Sequence, residues 1–319
     1  MRHILGHKRW AVAGVVVLFC LLSYAYLFGS PTAFPTGEIF VVKKGDPAPV
    51  IAQKLAAARL IRHESLFPYV LRLFGSATTV QAGAYNFSKP QSSLLIAWRL
   101  GHGDYGIPPA RITIFEGLTV REIADRVADA LPEISAEEVR VAGKEYEGYL
   151  FPDTYIFPPG ADADSVVQAM RTTFDAKIAP YAAEIRASGR RLSDIVIMAS
   201  LLEREARTLE TKRVISGILW RRLLIDMPLQ VDAVFGYIFA RPTYSPSYED
   251  LKVDSPYNTY LYRGLPPGPI CNPGLESIEA ALHPTKTPYL YYLTDRDGVM
   301  RYAATYAGHQ ANQAKYLSR

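Results

Sequence analysis

The longest uninterrupted apolar stretch lies at residues 10–28, WAVAGVVVLFCLLSYAYLF, 19 positions without a charge. A helix of that length spans about 30 Å of hydrocarbon, so the pattern predicts one membrane-crossing helix. Beyond it the pattern shortens. Residues 38–45, EIFVVKKG, read as a strand with a Gly turn, and residues 48–60 place Ala, Val, Ile and Leu at helical spacing. A second helix is expected over 64–74, strand-like alternation over 81–87, and a helix over 92–100 before the Gly-rich break at 101–106. These elements predict a small α+β module, and the order fits a glycan-binding unit and a spacer equally well.

Residues 112–117 open a second strand-and-helix part, with Thr119 and Glu122 at the capping-box spacing ahead of Ile123, Val127 and Leu131. An aromatic-rich run with two acids and a proline fills 147–155, and a helix is expected over 164–183. The most informative helix is predicted over 193–209, with Ser193 as its cap. At ~100° per residue and with Met198 at zero, Leu209, Leu202, Ile195 and Ala206 fall at about 20–80° and Leu201 at about −60°. Glu205 lands at about −20°, inside this apolar stripe, whereas Glu203 falls near 140° and Arg207 near 180°, on the polar side. A carboxyl among apolar neighbours resists ionisation and can serve as a general acid near neutral pH. The same placement also fits a carboxylate that pairs with a buried arginine or caps another element.

Charge changes the picture at the N-terminus. Arg2, Lys8 and Arg9 supply three of the four net positive charges, and the first charges after the apolar run are Glu38, Lys43 and Lys44. The positive-inside bias therefore puts the N-terminus in the cytoplasm and everything after Ser30 outside. A cleaved signal peptide is the competing reading, because small residues follow at 29–33, but the apolar run exceeds the usual ~7–15 residues. The remainder is close to neutral, which argues against nucleic-acid binding. Two cysteines, Cys20 and Cys271, give no disulfide framework and no thiolate metal site. There is no P-loop, H-E-x-x-H or G-x-S-x-G, so no cofactor and no metal is expected.

Several polar and aromatic residues downstream could touch a ligand. Gln230, Asp232, Asn258 and Thr259 carry donors and acceptors suited to N-acetyl and hydroxyl groups, and Tyr257 and Tyr260 offer flat faces for sugar rings. The tyrosines fit a sheet equally well, and Asn258 a turn. The Pro- and Gly-rich stretch at 264–274 is a stiff loop, either the wall of a groove or a connector. His283 and His309 are each a ligand or base, or structural; neither has a second histidine at metal spacing.

Residues 199–205, Ala-Ser-Leu-Leu-Glu-Arg-Glu, resemble the Ala-Ser-x-x-Glu-x-Glu signature of the YceG-like endolytic murein transglycosylase family. The resemblance runs on through Leu229-Gln230-Val231-Asp232, Tyr257-Asn258-Thr259-Tyr260, residues 264–274, Ala280-Ala281-Leu282-His283-Pro284, residues 287–291 and His309. Upstream it takes in residues 82–85, Phe115-Glu116-Gly117 and residues 148–155, so it covers nearly the whole chain. The chain departs from the family at Ala233-Val234, where Pro-Thr is usual, and at Gln310, where Asn is usual.

The resemblance implies that Glu205 is the catalytic acid and that Gln230, Asp232, Tyr257, Asn258, Thr259 and Tyr260 contact substrate. It implies a lyase: cleavage of the β-1,4 bond between N-acetylmuramic acid and N-acetylglucosamine in nascent peptidoglycan, leaving a 1,6-anhydro end and limiting strand length. The implied α+β architecture is a cytoplasmic tail (1–9), a transmembrane helix (10–29), a LysM-like module (30–108), a connecting strand-and-helix part (109–190) and a catalytic part (191–319). It implies an envelope enzyme of the inner membrane, with peptidoglycan strands, and physically the synthases that make them, as partners. The alternative is a non-catalytic, membrane-anchored peptidoglycan-binding scaffold.

Overall fold

The computed structural model describes residues 2–74, 80–241 and 245–317, with side chains from residue 12 onward. The chain is α+β and divides into two compact units, Met1–Ala110 with Ile156–Ala161, and Arg111–Tyr155 with Asp162–Arg319.

The first unit holds α1 (Arg2–Phe28), β1 (Ile39–Val42), α2 (Ala48–Ala57), α3 (Phe67–Leu73), β2 (Gly83–Asn86) and α4 (Ser93–His102). From β1 to α4 each element falls where the hydrophobic pattern puts it. β1 and β2 pair antiparallel, with Ile39 opposite Asn86 and Val42 opposite Gly83. Helical spacing sends Ile51 and Leu55 of α2 and Ile96 and Leu100 of α4 inward, where they meet Phe67, Leu71, Tyr85 and Phe87. Ser92 caps α4 by accepting the Leu95 N–H at 3.3 Å, and Gly103, at φ +66°, ends it in the left-handed region. The membrane span expected at residues 10–28 falls on α1. Its fully described part, residues 12–28, is shorter than the ~20 residues a crossing needs, and among the described residues no helix is long and apolar enough to cross a membrane.

From residue 110 onward the chain forms β3 (Ala110–Thr113), α5 (Val120–Ala130), α6 (Ala136–Gly143), β4 (Thr154–Phe157), α7 (Ala163–Ile178) and α8 (Ala182–Ala187). Then come α9 (Leu192–Glu205), α10 (Leu209–Leu224), α11 (Ala233–Ile238), α12 (Leu275–Leu282), β5 (Tyr291–Thr294), β6 (Met300–Ala303) and α13 (Tyr306–Tyr316). α5 begins with the expected capping box: Thr119 Oγ1 accepts the Glu122 N–H at 3.2 Å, and Glu122 Oε2 accepts the Thr119 N–H at 2.8 Å. The second core is organised around α9, whose Ile195, Val196, Met198, Leu201 and Leu202 are wholly buried and which packs on α10 and α12. Each such side chain contributes about 1.5–3 kcal/mol by leaving water.

Two helices depart from the sequence expectation. α9 is capped at Arg191 rather than Ser193 and stops at Glu205, because Ala206 is extended at φ −147°. The chain must extend here for Thr208 to cap α10, which it does by accepting the Thr211 N–H at 3.3 Å. α7 starts one residue early, capped by Asp162 Oδ1, which accepts the Ser165 N–H at 2.8 Å. It ends well before residue 183, because Pro180 has no N–H for another helical bond, and a 3-10 turn leads into α8.

Candidate active site

The last turn of α9 carries two glutamates with opposite environments. Glu203 accepts from Lys212 Nζ at 3.1 Å, from the Gly274 N–H at 2.9 Å and from Ser277 Oγ at 2.7 Å. Its side chain is 8% exposed and that of Lys212 is 3%, so this is a buried, fully partnered ion pair. The sequence expectation that Glu203 faces away from the interior is thus corrected. α10 and α12 bring partners to the side of α9 opposite its apolar stripe, which the period of one helix does not reveal.

Glu205, two residues on, is half-buried and has no cation beside it among the described residues. Tyr292 Oη donates to its Oε2 at 2.8 Å, and the Ala233 N–H, at the start of α11, donates as well. Burial pushes the carboxyl up to about 7; the Asp232 charge acts in the same direction, and the two hydrogen bonds pull it part of the way back. Its position at the C-terminal end of α9, the negative end of the helix dipole, also favours the protonated form. At neutral pH the group is therefore poised between donating and accepting a proton. Of the two alternatives, the capping one is met at the first N–H of α11, and the buried-arginine one is not: Arg222, the buried guanidinium of the neighbouring helix, donates to the Leu229 and Leu290 carbonyls at 2.7 Å each. It ties residues 228–232 to β5, the two segments that deliver Asp232 and Tyr292 to Glu205.

Glu205 opens into a cleft of about 1110 Å³ within the second unit. One wall comes from α5, α6 and Glu147, and the other from residues 203–207, α11 and Ile270. The stiff 264–274 loop supplies part of this wall: Ser200 Oγ of α9 accepts the Ile270 N–H at 3.0 Å and donates to the Ile197 carbonyl at 2.8 Å. Gly148, at φ +85°, lies against the ring of Pro269, where any Cβ would collide.

The other candidates separate into two groups. Asp232 is exposed and accepts from Tyr260 Oη at 2.5 Å, Gln230 is exposed, and Tyr257 is half-buried against Tyr237 with ring centroids 4.9 Å apart. Asn258 and Thr259 are buried and their polar atoms are engaged within the fold. Asn258 donates to the Leu251 and Val253 carbonyls at 3.0 and 2.9 Å and accepts the Tyr260 N–H at 3.0 Å. Thr259 Oγ1 accepts the Val231 N–H at 2.9 Å, and its carbonyl accepts the Gln230 N–H at 3.1 Å. These bonds hold Gln230 at φ +49°, a left-handed conformation that costs a non-glycine residue about 1–2 kcal/mol, and so aim the 230–232 turn at Glu205. Tyr257 and Tyr260 lie in no strand.

Of the histidines, His283 Nε2 lies 2.9 Å from Glu184, and His309 stacks on Tyr291 at 5.3 Å, with burial holding it below its ordinary value. Among the described residues no three His, Cys, Asp or Glu side chains converge as metal ligands. Sequence reasoning missed two groups of the site. Tyr292 could have been found from strand alternation in β5, which turns it to the face opposite Tyr291. Glu147 accepts from the Val120 N–H at 3.2 Å and Asn272 Nδ2 at 3.1 Å, and burial pushes it up to about 7; no local pattern marks it.

An α+β domain that presents two half-buried carboxyls, Glu205 and Glu147, without ion-pair partners among the described residues in an open cleft, with hydroxyl and amide donors around them, defines a class: proteins equipped for acid chemistry. The chain belongs to the YceG-like family, whose model matches residues 40–315. It is 31% identical to an endolytic murein transglycosylase of Bacillus subtilis, over 93% of this chain and 91% of that protein. It is 29% identical to one from Streptococcus pneumoniae, over 98% of this chain and 66% of that longer protein. A crystal structure of a yceG-like protein from Listeria monocytogenes superposes with a TM-score of 0.59 at 30% identity, over 86% of this chain and 99% of that one.

Proposed function

We propose that this chain is an endolytic lytic transglycosylase that cuts the β-1,4 bond following N-acetylmuramic acid within peptidoglycan strands. The observation that carries the reading is the Glu205 carboxyl, unpaired in an open cleft and raised to about 7. The names of the relatives supply the substrate. In the first half of the reaction Glu205 gives its proton to the leaving O4 of N-acetylglucosamine as the C1–O4 bond breaks. In the second half the muramyl 6-hydroxyl closes on C1, and Glu205 takes the hydroxyl proton. Atoms balance without water, and one carboxyl returns to its starting state. This is why no second carboxylate at a fixed separation is needed, unlike in a hydrolase. Holding the 6-hydroxyl against C1 makes the attack intramolecular, and that is where the walls of the cleft contribute.

In this scheme Asp232, with Tyr260, and the exposed Gln230 bind the sugar's N-acetyl and hydroxyl groups, and Tyr257 lies under a ring. Thr259 acts from behind by fixing the 230–232 turn, and Asn258 by fixing the 251–260 loop. The proposal extends to organisation: α1 anchors the chain in the inner membrane with residues 1–9 inside, supported by the uncharged run and by the exposed Val15, Phe19 and Leu22. Residues 30–108 form a LysM-like module, residues 109–190 a connecting strand-and-helix part and residues 191–319 the catalytic part, all outside, near the synthases whose strands the enzyme shortens.

The test is mass spectrometry of uncross-linked strands incubated with the chain and with its Glu205→Gln variant. Anhydromuramic ends made by the parent and missing with the variant are the expected result. Reducing ends would replace the reading with a hydrolase, and binding without cleavage would replace it with a scaffold.

A further inference from the structure

The charges lining the cleft do not cancel. Three of its carboxylates are paired with cations, and burial holds a fourth, Glu147, up to about 7. Glu203 is sealed against Lys212, Glu122 serves the α5 cap and lies 3.4 Å from Arg204, and Asp125 lies 3.1 Å from Arg140. Glu147 accepts neutral hydrogen bonds from the Val120 and Gly148 N–H groups and from Asn272 Nδ2 in one wall. Three cations of the same lining, Arg121, Lys144 and Arg207, are exposed and have no carboxylate partner among the described residues. Arg121 and Lys144 stand on one wall and Arg207 on the other, two residues from Glu205, so they face a common space.

Cations left over along a cleft raise the local concentration of anions and discriminate by charge. The sugar backbone of a murein strand is neutral. Its anionic groups are the carboxylates of the peptide stem, which hangs from the lactyl ether on the same muramic acid whose C1 must sit at Glu205. We infer that the cleft selects strands that still bear peptide stems, whose carboxylates are held by Arg121, Lys144 and Arg207. The inference rests on the proposed reaction and makes stem charge a specificity determinant of that site. It also gives an order of events: an amidase that strips stems removes a substrate for this enzyme, so this cut precedes stem removal.

Binding tests this separately from cleavage. The full chain carrying Glu205→Gln, in detergent, is titrated with soluble uncross-linked strands that keep their stems and with the same strands stripped by an amidase. Three solvent-exposed charge contacts predict about tenfold tighter binding of the stem-bearing strands at low salt, shrinking to about twofold at 1 M salt. Adding Arg121→Gln, Lys144→Gln and Arg207→Gln should erase the preference while leaving affinity for stripped strands within about twofold. Keeping the charge with Arg121→Lys and Arg207→Lys should preserve it.

Equal affinity for the two strands in the parent background overturns the inference, as does a triple variant that weakens both equally. A stripped strand ending in a pyrophosphate that regains tight binding would move the cations to that group and overturn it as well. Absence of anhydro ends with Glu205 intact would instead strike the reaction, and it is read in a different assay.

Discussion

The two sides of the last turn of α9 hold carboxyls separated by one residue and put to opposite uses. Around Glu203 the fold supplies a cation and two donors, all inside, so the charge is balanced and the group is silent. Around Glu205 it supplies apolar neighbours, a phenol and one backbone N–H, so the charge is not balanced and the proton is held into the neutral range. The contrast teaches that depth alone does not make a carboxyl chemically useful. What matters is whether the surroundings complete its charge or leave it to be completed by a reacting molecule.

The comparison can be broken at either carboxyl, and the largest effect is expected at Glu205. Glu205→Gln keeps the shape and removes the transferable proton, so the rate of anhydro-end formation should fall by about 10³-fold or more, with strand binding retained. Glu203→Gln should do the reverse. It leaves the ammonium of Lys212 buried and unpaired, and the midpoint of urea unfolding should fall by the equivalent of about 3–5 kcal/mol. A stable Glu203→Gln chain with lost turnover would show that the roles have been assigned the wrong way round.

A smaller effect sharpens the contrast through pH. Glu205 has a folded value near 7 against an ordinary value of 4.5, so the folded state holds a proton that the unfolded chain has given up. Below about 4.5 the group contributes nothing to stability. Stability drains away between 4.5 and about 7, and above that the full cost applies. Glu205→Gln should therefore be more stable than the parent by about 2–3 kcal/mol at pH 8 and equal to it at pH 4, in parallel chemical melts. The alkaline limb of kcat/KM should fall near pH 7 for the same reason. The smallest effect is expected at Tyr292. Tyr292→Phe removes a hydrogen bond that favours the ionised form, so the limb should move up by less than about one unit, with a rate change under about tenfold.

How much of this was legible in the sequence depends on how local the cause was. Thr119 with Glu122 acts within four residues, and the structure has that capping box. The burial of Glu205 was legible only in part: a helix carries its own periodicity, but Ala206 and Leu209 of the expected stripe lie beyond the end of α9, and Glu203, turned outward by the same period, is half-buried too. The end of α9 was not, because it is set by what α10 needs at Thr208. The burial of Glu203 was not, because its partners come from α10 and α12. Asn258 reads as a sugar-binding amide until its partners at Leu251, Val253 and Tyr260 are known.

Cys271 lies wholly buried behind the cleft, its Sγ 3.3 Å from the Ser200 carbonyl, and burial pushes the thiol far above its ordinary range. A thiol in that state does not react with disulfides or alkylating reagents at neutral pH, so native chains cannot cross-link through it. Once Cys20 is replaced by serine, Cys271 becomes a single latent label that an added maleimide reaches only when α9 parts from the 264–274 loop. Its labelling rate would count openings of the catalytic core one molecule at a time, under conditions in which the enzyme is still at work.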